Sequence, residues 1–312
     1  MRSFRTQFER GEGVLRSIFV FIVVFTPVLH PIISEAHDVA VIKSADIKPY
    51  NDALSGFKSS CGCSIREIPY QESDPAALPK SIAEFHPDAV LAIGMDALRS
   101  AQLIKDIPVV YCMVPQVPLP VTERQNIYGV SMAVSPGKQL DTILELVPTA
   151  KRIGIIYDPQ KDESFVTETS RSALARGITL IPKKASKPGE VPSLIESMQD
   201  KIDVFWMLPD TTVINAETVN SLLLFSFQNK VPIFAFATKY VEMGALAALN
   251  IDPVDLGVQA GEIMKRLLDQ KKGLIAAPVA PRKTVLVINR KIARKFGIEL
   301  SKTILEKAYV VQ

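Results

Sequence analysis

Residues 153–157 read Ile-Gly-Ile-Ile-Tyr, and Asp158-Pro159 follows directly. The run is continuous rather than alternating, which is how a strand covered on both faces by helices reads. Working outward, runs of the same kind recur at residues 39–42, 89–93, 109–111, 204–207 and 233–236. Helical spacing separates them. Leu140, Ile143, Leu144 and Val147 stand at i, i+3, i+4 and i+7 behind Ser135-Pro136, which fits an N-cap and a first helical residue. Asp252-Pro253 opens a second such helix with the stripe Leu256, Ala260, Ile263, Met264 and Leu267. Strands alternating with helices imply an α/β chain with parallel sheets.

A chain of 312 residues is about twice the ~150-residue domain size, so two lobes are expected. Hydrophobic residues make up 47% and charged residues 22%, ordinary for a folded protein and wrong for a disordered one. Pro115, Pro118 and Pro120 interrupt the pattern between Val114 and Asn126, where neither a helix nor a central strand can continue. This segment is read as a crossing between lobes, with residues 127–131 opening the second series. The tail then holds a strand from Thr284 to Ile288 and a short helix from Arg290.

The first thirty-six residues read as a secretory signal peptide. Arg2, Arg5, Arg10 and Arg16 precede the apolar run 18–25, and Ser34-Glu35-Ala36 supplies small residues before a cut. The run is too short for a bilayer span of ~20 residues; an uncleaved anchor is the competing reading. No cysteine follows at a lipid-attachment distance, so an extracytoplasmic protein is expected, periplasmic or secreted. Thirty-six Lys plus Arg against 33 Asp plus Glu give a net charge of +3, and removal of residues 1–36 leaves +2, so no nucleic acid partner is implied.

Enzyme motifs fail one by one. Gly137-Lys138 has Met132 and Gln139 where a phosphate loop needs glycine and a hydroxyl residue, and Gly11-x-Gly13 has Arg16 in place of the third glycine. There is no Gly-x-Ser-x-Gly elbow, and Cys112 has only His86 as a histidine within reach in sequence. No catalytic residue, metal site or cofactor is expected; His30, His37 and His86 lack metal-ligand spacing. Cys61-Gly62-Cys63 reads as too tight for a mutual disulfide, so either one of the two pairs with Cys112 or all three stay reduced.

In an open parallel sheet the ligand lies outside the carboxyl ends of the strands. That rule selects Ser44, Asp46, Gly94, Met95, Asp96 and Cys112 with Met113 from the first half. From the second half it selects Asp158, Pro159, Glu163, Asp210, Thr211, Thr212, Ala237 and Thr238. Each could instead cap the helix that follows it. Asp210 is expected to face a cleft between two such edges; the plainer reading makes it the cap of a helix starting near Val213 or Asn215. An amino acid or similar zwitterion would set its carboxylate among amides and hydroxyls, with Ser44, Gly94 and Thr211 as contributors, and its ammonium on Asp210, Asp96 or Asp252.

The chain also resembles the ABC-transporter substrate-binding proteins of the tryptophan-binding type. The resemblance is carried by Asn126-Ile127-Tyr128-Gly129-Val130-Ser131, by 148–154 with Tyr157-Asp158-Pro159, by 209–213, by Gly244-Ala245-Leu246-Ala247, by 252–261 and by 287–298. It implies a type I periplasmic-binding-protein fold, two Rossmann-like lobes joined by three crossings. Residues 37–125 plus 250–279 would form the first lobe and 126–249 plus 280–312 the second. It also implies a monomer that closes on a small ligand and presents the closed form to an ABC permease. A sensor ectodomain and an enzyme on the same frame are the competing classes.

Overall fold

The computed structural model describes residues 37–69, 77–115, 126–269 and 278–311. The expected signal segment, 1–36, and most of the proline-rich break lie outside the described residues.

The first half runs β1 (Asp38–Lys43), α1 (Lys48–Cys61), β2 (Ser64–Ile68), α2 (Ala77–Phe85), β3 (Ala89–Ile93), α3 (Met95–Ala101), β4 (Val109–Val114) and β5 (Ile127–Ser131). These strands form a parallel sheet in the order β2-β1-β3-β4-β5. β3 and β4 are buried along their whole length, as their unbroken apolar sequence requires. Sheet membership corrects the sequence reading at one point. Residues 127–131 do not open the second series; Ile127 pairs with Val109 and Tyr128 with Val110, so the first sheet extends to Ser131.

The second half runs α4 (Pro136–Leu146), β6 (Arg152–Tyr157), α5 (Pro159–Leu174), β7 (Thr179–Lys184), α6 (Val191–Glu196), β8 (Val204–Trp206), α7 (Ala216–Asn229), β9 (Ile233–Ala235), α8 (Thr238–Met243) and β10 (Ala247–Ile251). After α9 (Pro253–Leu268) come β11 (Thr284–Asn289), α10 (Arg290–Lys295), α11 (Lys302–Lys307) and β12 (Tyr309–Val311). The sheet order is β12-β11-β10-β9-β8-β6-β7, parallel except for the β10–β11 pair. Ser135 caps α4 and Asp252 caps α9, each with proline at the first helical position. Trp206, 1% exposed, packs edge-on against Phe165 at 5.9 Å between ring centres.

α9 leaves the second sheet and packs in the first-half core, with Leu256, Ala260 and Met264 among Val39, Phe57 and Leu91. It meets α1 backbone to backbone: a side chain at Gly56 would collide with the Val254 carbonyl, and one at Gly257 with the Ala53 carbonyl. Only glycine permits that approach.

Three chain passages join the sheets, at 132–135, at 252 and at 280–283. Val279 is bonded to β5, its amide donating to the Gly129 carbonyl at 2.9 Å and its carbonyl accepting from Ser131 at 2.8 Å. Thr284 stands opposite Ile251 at the carboxyl end of β10. Five residues span at most ~18 Å. The carboxyl edges of the two sheets are therefore tethered close to one another. Arg282 is held on α9 by Asp255 at 3.2 Å, Glu262 at 3.0 Å and the Gln259 side-chain carbonyl, which accepts from its amide at 3.0 Å.

The cysteine expectation is corrected. Cys61 and Cys63 form a disulfide with Cα atoms 5.3 Å apart, and Cys112 is the free, buried cysteine. α1 ends at Cys61 and Gly62 turns the chain in the left-handed conformation, φ 67°, so the two sulfurs meet across the turn instead of diverging along a strand.

Candidate functional site

At the first carboxyl edge, Ser44 follows β1 and its amide donates to the Ile93 carbonyl at 2.9 Å. Its hydroxyl accepts from the Ala97 amide at 2.9 Å, which places it over the first turn of α3. Gly94 sits beside it at φ 94°, with its amide on the Cys112 carbonyl at 3.0 Å. A Cβ at Gly94 would stand 2.6 Å from Ser44 Oγ and 2.8 Å from the Tyr50 hydroxyl, so these three residues converge on one point. Tyr50 is a candidate that the strand-end rule misses, because it reaches the edge from the first turn of α1. Burial raises its phenol pKa, and the Asp96 charge adds to the effect.

The other first-edge candidates divide. Met95 is half-buried next to Gly94, whereas Asp96 turns to Arg99 at 3.2 Å on the surface. Asp46 is exposed and accepts from the Asn51 side chain at 2.8 Å; that bond, then the Lys43 charge, holds its carboxyl below the usual range. Cys112 is corrected to a core residue. Its thiol is fully buried and pushed up to about 12 by burial, so only its backbone reaches the edge. Met113 adopts φ 59° where the β4–β5 register shifts, a conformation that costs a non-glycine residue ~1 kcal/mol or more and that clusters at functional sites.

The second edge is charged and cross-linked. Asp210, after β8, is 1% exposed. Its Oδ2 accepts from the Asp158 amide at 2.6 Å and its Oδ1 from the Thr212 amide at 2.8 Å, joining the ends of β6 and β8. It caps no helix: Asn215 caps α7, in a reciprocal box with Thr218. Asp158 caps α5 through the Gln160 amide at 2.9 Å and accepts from the Thr212 hydroxyl at 2.8 Å; those two bonds, in that order, hold its carboxyl below the usual range. Lys161 donates to the Thr211 and Thr212 hydroxyls at 2.8 and 2.7 Å and lies 3.7 Å from Asp210. Asp162, one position on, is pushed up to about 6, first by burial and then by the Asp210 charge. Lys161 and Asp162 follow the strand by four and five residues and reach the edge from the first turn of α5, where the sequence reading selects Glu163 instead.

The remaining candidates already carry structural bonds. Glu163 accepts from the Tyr157 hydroxyl at 3.1 Å and pairs with Lys184 at 3.0 Å. Thr238 accepts from the Asn250 amide group at 2.6 Å, and Asp252 is committed to the Val254 and Asp255 amides. A cavity of ≈770 Å³ lies at the opposite end of the second sheet, lined by Arg152, Asp203 and Pro232 at the amino ends of strands. The Asp203 carboxylate there is taken by Arg152 and two backbone amides. Among the described residues no group of three or more His, Cys, Asp or Glu side chains is placed to hold a metal ion.

Residues 68–312 match a family described as ABC transporter substrate binding protein. The chain belongs to that family. A similar curated relative is the tyrosine-binding protein of Clostridioides difficile strain R20291, 28% identical over 254 residues, covering 78% of this chain and 70% of the relative. Among solved structures, the ligand-free, open form of a substrate binding protein with adhesive properties from Clostridium difficile has a TM-score of 0.74 at 23% identity, covering 88% of this chain and 99% of that one. An ABC domain from Streptococcus pneumoniae in complex with L-Trp has a TM-score of 0.58 at 24% identity, covering 88% and 100%. These likenesses show the fold, that of the type I periplasmic binding proteins. Substrate-binding proteins of this family are typically extracytoplasmic, and no helix of the described residues is long and apolar enough to cross a membrane.

Proposed function

We propose that this substrate-binding protein captures an amino acid between its two carboxyl edges and delivers it to an ABC permease, without catalysing a reaction. The observation that carries the reading is the chemical asymmetry of the tethered edges. The neutral hydroxyls of Ser44 and Tyr50 converge beside Gly94, while carboxyl groups gather at Asp158, Asp162 and Asp210. A zwitterion matches both: its carboxylate turns to the first edge and its ammonium to the second, where a cation would favour the ionised form of Asp162 against its burial and the Asp210 charge. The similarity to a tyrosine-binding protein and to a domain that binds L-Trp supports an aromatic amino acid. The half-buried Met95 and Met132 near the first edge offer polarisable apolar surface to such a ring. The expected leader at 1–36 fits release into an extracytoplasmic space, and no finding favours the sensor reading.

Calorimetric titration with L-tyrosine and L-tryptophan tests the proposal. Each should bind, and the matching amine and carboxylic acid, which lack one charge each, should bind at least ~30-fold more weakly, the loss expected for one charged hydrogen-bonding group. Equal affinity for the amino acid and its deaminated analogue would remove Asp162 from the site. No heat with any amino acid would overturn the reading.

A further inference from the structure

The disulfide Cys61–Gly62–Cys63 lies far from the passages that join the sheets, at the last residue of α1 and just before the edge strand β2. A disulfide stabilises a fold by closing a loop in the unfolded chain, and the effect shrinks with the length of that loop. Here the loop is the shortest that one intervening residue allows, and the backbone already holds the two cysteines together. The bond ties no two distant elements. Its exposure is uneven: Cys61 is 3% exposed under α9, whereas Cys63 is half-buried. Cys112, by contrast, is sealed in the core and has no route to a reagent without unfolding. Lys58, one helical turn before Cys61, is paired with Glu67 at 3.0 Å, so its charge is not committed to the sulfurs.

We infer that Cys61 and Cys63 form a thiol–disulfide exchange site, accepting two electrons from an external thiol or dithiol while the fold stays intact. In the first step a thiolate attacks the accessible Cys63 sulfur; the Cys61–Cys63 bond breaks, a mixed disulfide forms on Cys63, and Cys61 leaves as a thiolate that takes up a proton. In the second step another thiolate attacks the external sulfur of the mixed disulfide, and Cys63 leaves as a thiolate and is protonated. The two external thiols end as a disulfide, and the protein pair ends as two thiols. This chemistry is independent of the amino-acid site and survives if that proposal fails.

The test treats the folded full chain with glutathione in one arm and dithiothreitol in another, quenches with an alkylating reagent, and counts labels by intact mass and peptide mapping. In the dithiothreitol arm Cys61 and Cys63 should be labelled together, at least ~100-fold faster than Cys112, because Cys112 requires opening of the core. Complete reduction by glutathione identifies monothiols as competent donors. Arrest at a single adduct on Cys63 identifies a dithiol as the required one; both support the site. Labelling of all three cysteines together, at the rate of unfolding, would overturn it, as would a pair that stays closed in both arms. The double variant Cys61→Ser, Cys63→Ser should fold and melt within ~5 °C of the wild type, the small shift expected for so short a loop. If it fails to fold, the bond is a staple and the inference is wrong.

Discussion

The two tethered edges are made by the same strand-end topology and differ in almost everything else. At the first, Ser44 and Gly94 engage backbone groups of their own sheet and α3, and the point where they converge with Tyr50 carries no charge. At the second, three carboxyls and one ammonium crowd the ends of β6 and β8, and Asp210 is bonded to amides on both sides of its own strand end. One edge is shaped by close packing and the other by charge. A small residue sets the first; a buried anion sets the second. Substitutions should therefore break them differently.

The largest effect is expected at Asp210. Asp210→Ala leaves the buried amide of Asp158 and the half-buried amide of Thr212 without their acceptor, which should cost about 3 kcal/mol in urea unfolding. A loss under ~1 kcal/mol would mean that the charged edge does not depend on its anion. Gly94→Ala tests the other edge. The left-handed backbone and the pressure on Ser44 Oγ and the Tyr50 hydroxyl should together cost about 2 kcal/mol. If urea unfolding finds Gly94→Ala neutral, shape is not what holds the first edge.

Asp162 sets the charged edge apart through its response to pH. Its folded carboxyl titrates at about 6 against an ordinary 3.8, so the folded state holds the proton more tightly than the unfolded one. The stability this supplies is fully present below about pH 4 and is lost as pH rises through 6. With solvent screening at a half-buried group, the loss should be about 1 kcal/mol. Asp162→Asn should therefore gain about that much on the wild type between pH 4 and 7, read from melting curves; a gap that stays constant over that range would show no proton held there. The smallest effect belongs to Asp96, whose carboxylate faces Arg99 on the surface. Asp96→Ala should change stability by less than ~0.5 kcal/mol and leave amino-acid affinity unchanged in calorimetry. A tenfold or larger loss of affinity would move the ammonium partner to the neutral edge and reverse the assignment.

What was legible in the sequence is what local chemistry writes into a short window. β3, β4 and β6 are covered on both faces, so their apolar runs are unbroken and could be read directly. Ser135-Pro136 and Asp252-Pro253 satisfy helix amides from neighbouring residues, so they too were visible. The edge strands β2, β7 and β12 carry mixed exposed and part-buried residues and give no such signal. The assignment of residues 127–131 to the first sheet, the meeting of Tyr50 with Gly94, and the closeness of α9 to α1 depend on partners distant in the chain. So does the bond between Asp210 and the amide of Asp158, fifty-two residues away. Sequence alone determined the α/β class, the central strands and the caps, because solvent exclusion and helix-end hydrogen bonding act over a few residues. Only the tertiary structure decided which polar groups remain at the edges to meet a ligand, because a carboxylate's bonds are settled by whatever amides the fold brings to it.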